Sequence, residues 1–128
     1  MTRWKSGALA AAIVLATSAP VLASQLDDIK AAGVLRVATS LSVAPYTYTD
    51  DTMQPTGSDV EAARLLAADL GVKLEVVGTT VSARIPTLQS GKADLVMSVL
   101  AKSPEREKVI DFSRPYAVTE TVLIGPNA

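Results

Sequence analysis

Apolar, strand-like runs alternate with helical segments along residues 24–128. The run Val34–Thr39 is almost continuously apolar, which is typical of a strand buried in a parallel sheet. A helix is predicted from Ser58 or Asp59 to Leu70, because its apolar residues recur at i, i+3 and i+4. Strands that alternate with helices predict an α/β fold with a mostly parallel sheet flanked by helices.

The complete predicted order after a short first helix at residues 24–32 is β-α-β-α-β-α-β-β. The later strands are predicted at Val72–Val77, Ala93–Val99, Val109–Phe112 and Ala117–Ile124. Short helices are predicted over residues 83–90 and from Ser103. Residues 40–57 are rich in Pro, Asp and Gly and are predicted to form a loop, with a short extended piece at residues 46–48. No internal repeat or linker divides the chain after its first residues.

The first 23 residues have the layout of a secretory signal peptide. Arg3 and Lys5 give a positive start, Gly7–Ala16 is apolar, and cleavage is expected after the small residue Ala23. A transmembrane helix is the alternative interpretation, because residues 6–26 carry no charge. We expect residues 1–23 to be removed on export and the remainder to be periplasmic.

The composition excludes several kinds of site. The 128 residues include no His and no Cys, so zinc sites with those ligands, disulfides, a Ser-His-Asp triad and a cysteine nucleophile are impossible. A net charge of −1 and a pI near 5.3 give no basic footprint for nucleic acid. The sequence contains neither a Walker loop nor G-x-G-x-x-G, and we expect no cofactor and no metal.

Ligands of open parallel sheets bind outside the carboxyl ends of the strands. The segments predicted at that edge are residues 39–48, 78–82 and 98–106. Arg84 is expected to be a surface arginine near a helix start, and Asp94 is expected to cap or to form an ion pair. Tyr46 and Tyr48 are expected to pack on one face of a short strand, and stacking on a ligand is the alternative.

Arg106 is the residue at this edge that most favours ligand binding. Ser103 is a suitable helix cap, Pro104 suits the first helical position, and Arg106 falls in the first turn. A guanidinium together with the free N–H groups of a helix start suits a carboxylate. A surface ion pair of Arg106 with Glu105 or Asp111 is the alternative.

Four motifs stand in a specific order: G-x-D-V-E, L-Q-S-G-K-x-D, S-P-E-R and D-F-S-x-P-Y. They lie in the segments Gly57–Gly71 (GSDVEAARLLAADLG), Arg84–Glu107 (RIPTLQSGKADLVMSVLAKSPERE) and Val109–Tyr116 (VIDFSRPY). From about Val34 to Ile124 the chain resembles the bacterial extracellular solute-binding proteins of family 3, the amino-acid-binding receptors of ABC importers. The resemblance implies a lobe of a type II periplasmic binding fold, binding without catalysis, a small-molecule ligand and a membrane permease as partner.

The resemblance also implies which residues contact the ligand. Arg106 matches the arginine that binds the α-carboxylate of the ligand in the family. Positions that contact ligand at the end of the preceding strand match Val99 and Ala101. The acid that often binds the α-amino group is replaced by Ser40. The aromatic residues that sandwich the ligand are replaced by Val43 and Val81.

Several of these positions depart from the family's pattern. Ser40 carries no charge, Val43 and Val81 are not aromatic, and Ala101 lacks the usual hydroxyl. Arg106 is retained, so the resemblance still implies recognition of an anion. The ligand implied is therefore an amino acid or a small organic acid.

Members of the family close their ligand between two lobes. Residues 24–128 are expected to form most of the first lobe, with the chain ending near Asn127 before the second lobe would begin. Two alternatives to a binding protein are retained. One is an enzyme like the cyclohexadienyl dehydratases, which resemble the same family and act on a carboxylated ring in the same cleft. The other is a truncated remnant that binds nothing.

Overall fold

The computed structural model describes residues 24–120 and 122–125, so the predicted leader lies outside the described residues. The elements are α1 (Gln25–Ala32), β1 (Val34–Thr39), β2 (Ser42–Val43), β3 (Thr47–Thr49), β4 (Pro55–Thr56), α2 (Ser58–Leu70), β5 (Lys73–Gly78), α3 (Arg84–Gln89), β6 (Leu95–Val96) and α4 (Pro104–Glu107). None of the helices in these two ranges combines the length and the apolarity that a membrane crossing requires.

The main sheet has the strand order β5-β1-β6, and both pairings are parallel. β1 pairs with β5 along its whole length, whereas β6 pairs only with the middle of β1. The central position of β1 explains its apolar sequence, because Leu35, Val37 and Ala38 are all buried. The predicted α/β fold with a parallel sheet is thus confirmed.

Helix α2 covers this sheet with the face that its periodicity predicts. Val60, Ala63 and Ala67 are buried, and Ala63 and Ala67 pack in one cluster with residues of β1. Gly71 ends the helix in a left-handed conformation with φ 70°, and its N–H donates to the carbonyls of Ala67 and Ala68. These buried residues hold α2 against the sheet. The first turn of α2 lies at the end of the sheet where the strands have their carboxyl ends.

The two strands predicted near the end of the chain are wrong for the residues that the structure describes there. Val109–Phe112 contains no strand: it begins with a turn that follows α4, in which the N–H groups of Val109 and Ile110 both donate to the carbonyl of Arg106. The described part of Ala117–Ile124 is not a strand either, and Val118 is 88% exposed. A β-prone sequence forms a strand only where a neighbouring strand accepts its hydrogen bonds.

Two further segments differ from the prediction. The strand predicted at Ala93–Val99 is limited to Leu95–Val96, although the N–H of Met97 still donates to the carbonyl of Ala38. The predicted loop at residues 40–57 contains a small antiparallel sheet of order β2-β3-β4. Thr47 fastens this sheet to the end of β1, because its buried hydroxyl donates to the carbonyl of Ser40 at 2.5 Å.

As expected, Asp94 forms an ion pair, and it does so directly before the start of β6, away from the carboxyl ends of the strands. Its carboxylate accepts hydrogen bonds from the guanidinium of Arg36 at 2.5 Å and from the Arg36 backbone N–H at 2.8 Å. Burial raises the pKa of Asp94, but the hydrogen bonds and the charge of Arg36 outweigh it, so the pKa lies below its ordinary value. The pair joins β1 to the start of β6 and stands apart from the edge where ligands bind.

Candidate functional site

The carboxyl ends of β1, β5 and β6 meet at one edge of the main sheet, and hydrogen bonds join the loops that follow them. The backbone N–H of Ser40, after β1, donates to the hydroxyl of Ser98, after β6, at 2.9 Å. The N–H of Thr79, after β5, donates to the carbonyl of Thr39 at 2.9 Å. This edge is therefore a connected platform, and it is where open parallel sheets bind ligands.

Arg84 lies beneath this platform, so its prediction as a surface arginine is wrong. It is 6% exposed, and its guanidinium donates to the carbonyl of Val81 at 2.9 Å and to the carbonyl of Ser98. The short turn before α3 directs the side chain inward, where two backbone carbonyls satisfy it. Arg84 thus joins the loop after β5 to the loop after β6.

Arg106 stands at the same edge with its backbone capped and its guanidinium held. The hydroxyl of Ser103 accepts the N–H of Arg106 at 3.4 Å, which confirms Ser103 as the cap of α4. The guanidinium donates from Nη1 to the carbonyl of Ala101 at 2.5 Å. Within residues 24–120 and 122–125 it forms no ion pair, so the alternative of a pair with Glu105 or Asp111 is not what the structure shows.

Arg84 and Arg106 act on each other electrostatically, and neither forms an ion pair within the described residues. Burial lowers the pKa of Arg84, and the positive charge of Arg106 lowers it further. An arginine stays protonated even with such a shift, so Arg84 remains a cation. Neither cation forms an ion pair within the described residues, so both favour an anion at this edge, while the carboxylates of Glu105 beside Arg106 and of Asp59 in the groove oppose it.

The start of α4 contributes less to an anion site than the sequence predicts. The helix has four residues, and Pro104 supplies no N–H. The N–H of Arg106 is already bonded to Ser103. The pKa of the Glu105 carboxyl is lowered, mainly by a hydrogen bond from its own backbone N–H and to a smaller extent by one from the side chain of Ser103. The Glu105 carboxylate therefore already occupies this end of the helix. Anion recognition here rests on the Arg106 side chain.

Val99 and Ala101 line a groove of about 380 Å³ together with Tyr46, Asp59 and Tyr116. Among the residues that line it, Val99 is half-buried and Ala101 is exposed. The carbonyl of Ala101 also touches Arg106. These three predicted positions therefore belong to one loop system between the end of β6 and α4.

The remaining predicted positions lie on the two other loops. Ser40 is 1% exposed, and its hydroxyl lies 3.2 Å from the hydroxyl of Ser42. Val43 is half-buried in β2. Val81 is 54% exposed, and its carbonyl accepts a hydrogen bond from Arg84. Hydrogen bonds through Arg84 and Ser98 thus connect Val81 and Ser40 with the loop that carries Val99.

Asp59 is a site residue that the sequence reasoning missed. Asp59, in the first turn of α2, is 3% exposed, and its Oδ2 accepts the backbone N–H of Val99 at 3.0 Å. Its position in the sequence predicts only that it lies at a helix start. The one available signal was its place in the G-x-D-V-E motif. Within the described residues, no three acidic side chains are arranged to hold a metal ion.

The sequence and the fold together place the chain in a family of binding proteins. Residues 35–128 match the family described as bacterial extracellular solute-binding proteins, family 3. The chain belongs to this family. Its parallel sheet and helices form a lobe of the type II periplasmic binding fold.

Two curated relatives illustrate the range of the family. The chain is 32% identical to the L-cystine-binding protein of Escherichia coli over 115 residues, which is 88% of this chain and 43% of that protein. It is 37% identical to the cyclohexadienyl dehydratase of Pseudomonas aeruginosa over 105 residues, which is 82% of this chain and 39% of the enzyme. The chain thus spans about two fifths of the length of these relatives.

Two solved structures share the fold. An ancestral cationic amino acid solute-binding protein has a TM-score of 0.72 and 48% identity, over 73% of this chain and 41% of that chain. The arginine-bound form of domain 1 of ArgBP from T. maritima has a TM-score of 0.69 and 38% identity, over 70% of this chain and 71% of that domain. The second structure is a single domain of a binding protein with its ligand present.

Proposed function

We propose that the chain supplies the first lobe of a periplasmic solute-binding component of an ABC importer. In this proposal its edge of the sheet binds the carboxylate of an amino acid or a small organic acid. The observation that carries the proposal is the guanidinium of Arg106, which the carbonyl of Ala101 holds at the carboxyl ends of the strands without an acidic partner in the described chain. Membership of family 3 supports the same role, and a membrane permease would be the partner of the complete receptor.

The charges of the site favour a ligand with a carboxylate. Arg84 and Arg106 are both cationic, whereas Ser40, at the position where the family often has an acid for the ligand's amino group, is uncharged. The relatives named for L-cystine and arginine support an amino acid, since both of these ligands carry an α-carboxylate. A small organic acid satisfies the same guanidinium without needing a partner for an amino group.

A dehydratase is the second candidate, because the chain is 37% identical to a cyclohexadienyl dehydratase over most of its length. That enzyme would share the carboxylate site and add a catalytic acid. We propose binding without catalysis, since Arg106 keeps its proton and the other residues predicted to contact the ligand are not acids. Asp59, the acid that lines the groove, is 3% exposed and accepts the N–H of Val99. Incubation of the protein with prephenate and with arogenate tests this proposal. We expect no product, and turnover would favour the dehydratase.

Isothermal titration calorimetry with L-arginine, L-cystine and succinate tests the binding proposal itself. We expect a saturable signal in the millimolar range, because a single lobe leaves half of the ligand in water, where the ionic attraction is screened. The domain 1 structure with bound arginine supports binding by one lobe alone. No heat with any member of a broad panel of amino acids and organic acids would contradict the proposal.

The proposed function includes export to the periplasm with removal of residues 1–23. Arg3, Lys5 and the apolar run Gly7–Ala16 motivate cleavage after Ala23. When the full chain is expressed in a Gram-negative host, intact-mass spectrometry of the periplasmic fraction should show a protein that begins at Ser24. A form that retains Met1 and sediments with the membrane would contradict this prediction.

A further inference from the structure

Val99 has an unusual backbone conformation for its residue type. Its φ is 47°, in the left-handed region, and it is a β-branched residue, for which this region is a true outlier. It is also one of the positions proposed to contact the ligand, and it lines the groove beside Ala101. Such conformations persist only where surrounding contacts enforce them, and they concentrate at functional sites.

Val99 is hydrogen-bonded to a distant part of the chain. The carboxylate of Asp59 accepts the backbone N–H of Val99 at 3.0 Å, although 40 residues separate the two positions. Asp59 is 3% exposed, and it forms no ion pair in the described ranges. A buried carboxylate is costly unless hydrogen bonds satisfy it. Its bond to Val99, the neighbouring hydroxyl of Tyr116 and its place in the first turn of α2 provide that compensation.

The position of Asp59 is itself rigid. The backbone N–H of Asp59 donates to the carbonyl of Tyr46 at 3.0 Å, and the next residue, Val60, is 2% exposed under the helix. Two residues after Val99, the carbonyl of Ala101 holds the guanidinium of Arg106. A fixed point on α2 is therefore connected through one short loop to the side chain that recognises the anion.

We propose that Asp59 is a positioning residue of the binding site, which holds Val99 in the left-handed conformation and thereby orients the loop that supports Arg106. This inference rests on the proposed function. Asp59 makes no contact with the ligand in this proposal, and its effect on affinity passes through the backbone of Val99. The role is specific to the hydrogen bond, so an acceptor that carries no charge should replace the carboxylate.

The experiment is a double-mutant cycle, with L-arginine and succinate as probes. Asp59→Ala should weaken binding by about tenfold, because the left-handed conformation of Val99 loses its support. Asp59→Asn should bind within about threefold of the wild type, because its amide oxygen still accepts the N–H of Val99. The matched control is Asp69→Ala, at an exposed position near the other end of α2, which should leave affinity unchanged.

The variant Val99→Gly distinguishes positioning from a merely structural role. Glycine adopts positive φ without strain, so Asp59→Ala should cost several-fold less affinity in the Val99→Gly background than in the wild type. The same loss in both backgrounds would overturn the proposal, since Asp59 would then act on binding by another route. Urea unfolding of each variant separates loss of affinity from loss of fold.

A second measurement does not depend on any ligand. Positive φ brings the amide and α protons of a residue close together, so the wild type and Asp59→Asn should show a strong intraresidue NOE for Val99. Asp59→Ala should lose it, and its persistence there would overturn the proposal. If the wild type shows this NOE but binds neither probe nor any other acid, the proposed function is contradicted. The effect of Asp59 on the conformation of Val99 would still be supported.

Discussion

Replacing Arg106 by alanine is expected to weaken the binding of L-arginine and succinate by about 10- to 150-fold, because a hydrogen bond to a charged group contributes roughly 1.5–3 kcal/mol. From a millimolar starting affinity, a loss at the upper end of this range should take binding below detection. Arg106→Lys should retain part of the affinity, since it keeps the charge but loses the planar, bidentate geometry. Titration calorimetry with both ligands measures the three proteins side by side.

The control for this prediction is an arginine outside the site. Arg64 is exposed on α2 and forms an ion pair with Glu61, so Arg64→Ala removes the same amount of positive charge without touching the strand ends. We expect its affinity for both ligands to equal that of the wild type. If the two alanine variants lost affinity equally, the contribution of Arg106 would be the net charge of the lobe, and the proposed site would be in the wrong place.

The replacement of Gly57 by alanine is expected to have the largest effect on stability. Gly57 precedes α2 with φ 114°, and a Cβ there would lie 2.2 Å from the carbonyl oxygen of Tyr46 and 2.8 Å from that of Pro45. Those carbonyls accept the first N–H groups of α2, from Ser58 at 3.3 Å and Asp59 at 3.0 Å, in place of a side-chain cap. The neighbours are backbone atoms, so relief requires the loop and the helix to separate.

We expect Gly57→Ala to reduce the free energy of unfolding by about 3 kcal/mol or more, as a sum of overpacking and backbone strain. Gly91→Ala is the matched control. Gly91 also has positive φ, 69°, but no atom lies within 4 Å of the position of its Cβ, so only about 1–2 kcal/mol of strain applies. Urea unfolding at constant m-value measures both variants. Equal losses would show that the close approach at Gly57 is not the cause.

The elements that depend on local sequence could be predicted. β1 and α2 follow from the apolar run Val34–Thr39 and from helical periodicity, and their observed bounds, Val34–Thr39 and Ser58–Leu70, agree with the prediction. The cap at Ser103 is equally local, because the hydroxyl and the N–H that it accepts are three residues apart. Each of these features needs only information within one or two helical turns.

The features that were missed depend on contacts between distant residues. Arg84 is buried because a carbonyl at Ser98 receives its guanidinium, and nothing in the sequence near Arg84 indicates that carbonyl. Asp59 is a site residue only because Val99 lies against it. The strands predicted beyond Val109 fail for the same reason in the described residues, since β propensity alone does not reveal whether a partner strand is present.

Recognition of a carboxylate by the guanidinium of Arg106 is tested most directly by ¹⁵N NMR of its Nε–Hε group. The matched ligands are L-arginine and L-argininamide, which differ in the carboxylate alone. We expect a saturable shift of the Arg106 signal with L-arginine and none with L-argininamide at the same concentration. Equal shifts of the Arg106 signal with both ligands would contradict recognition of the carboxylate by Arg106. So would an L-arginine titration that shifts the signals of other residues and leaves the Arg106 signal unchanged.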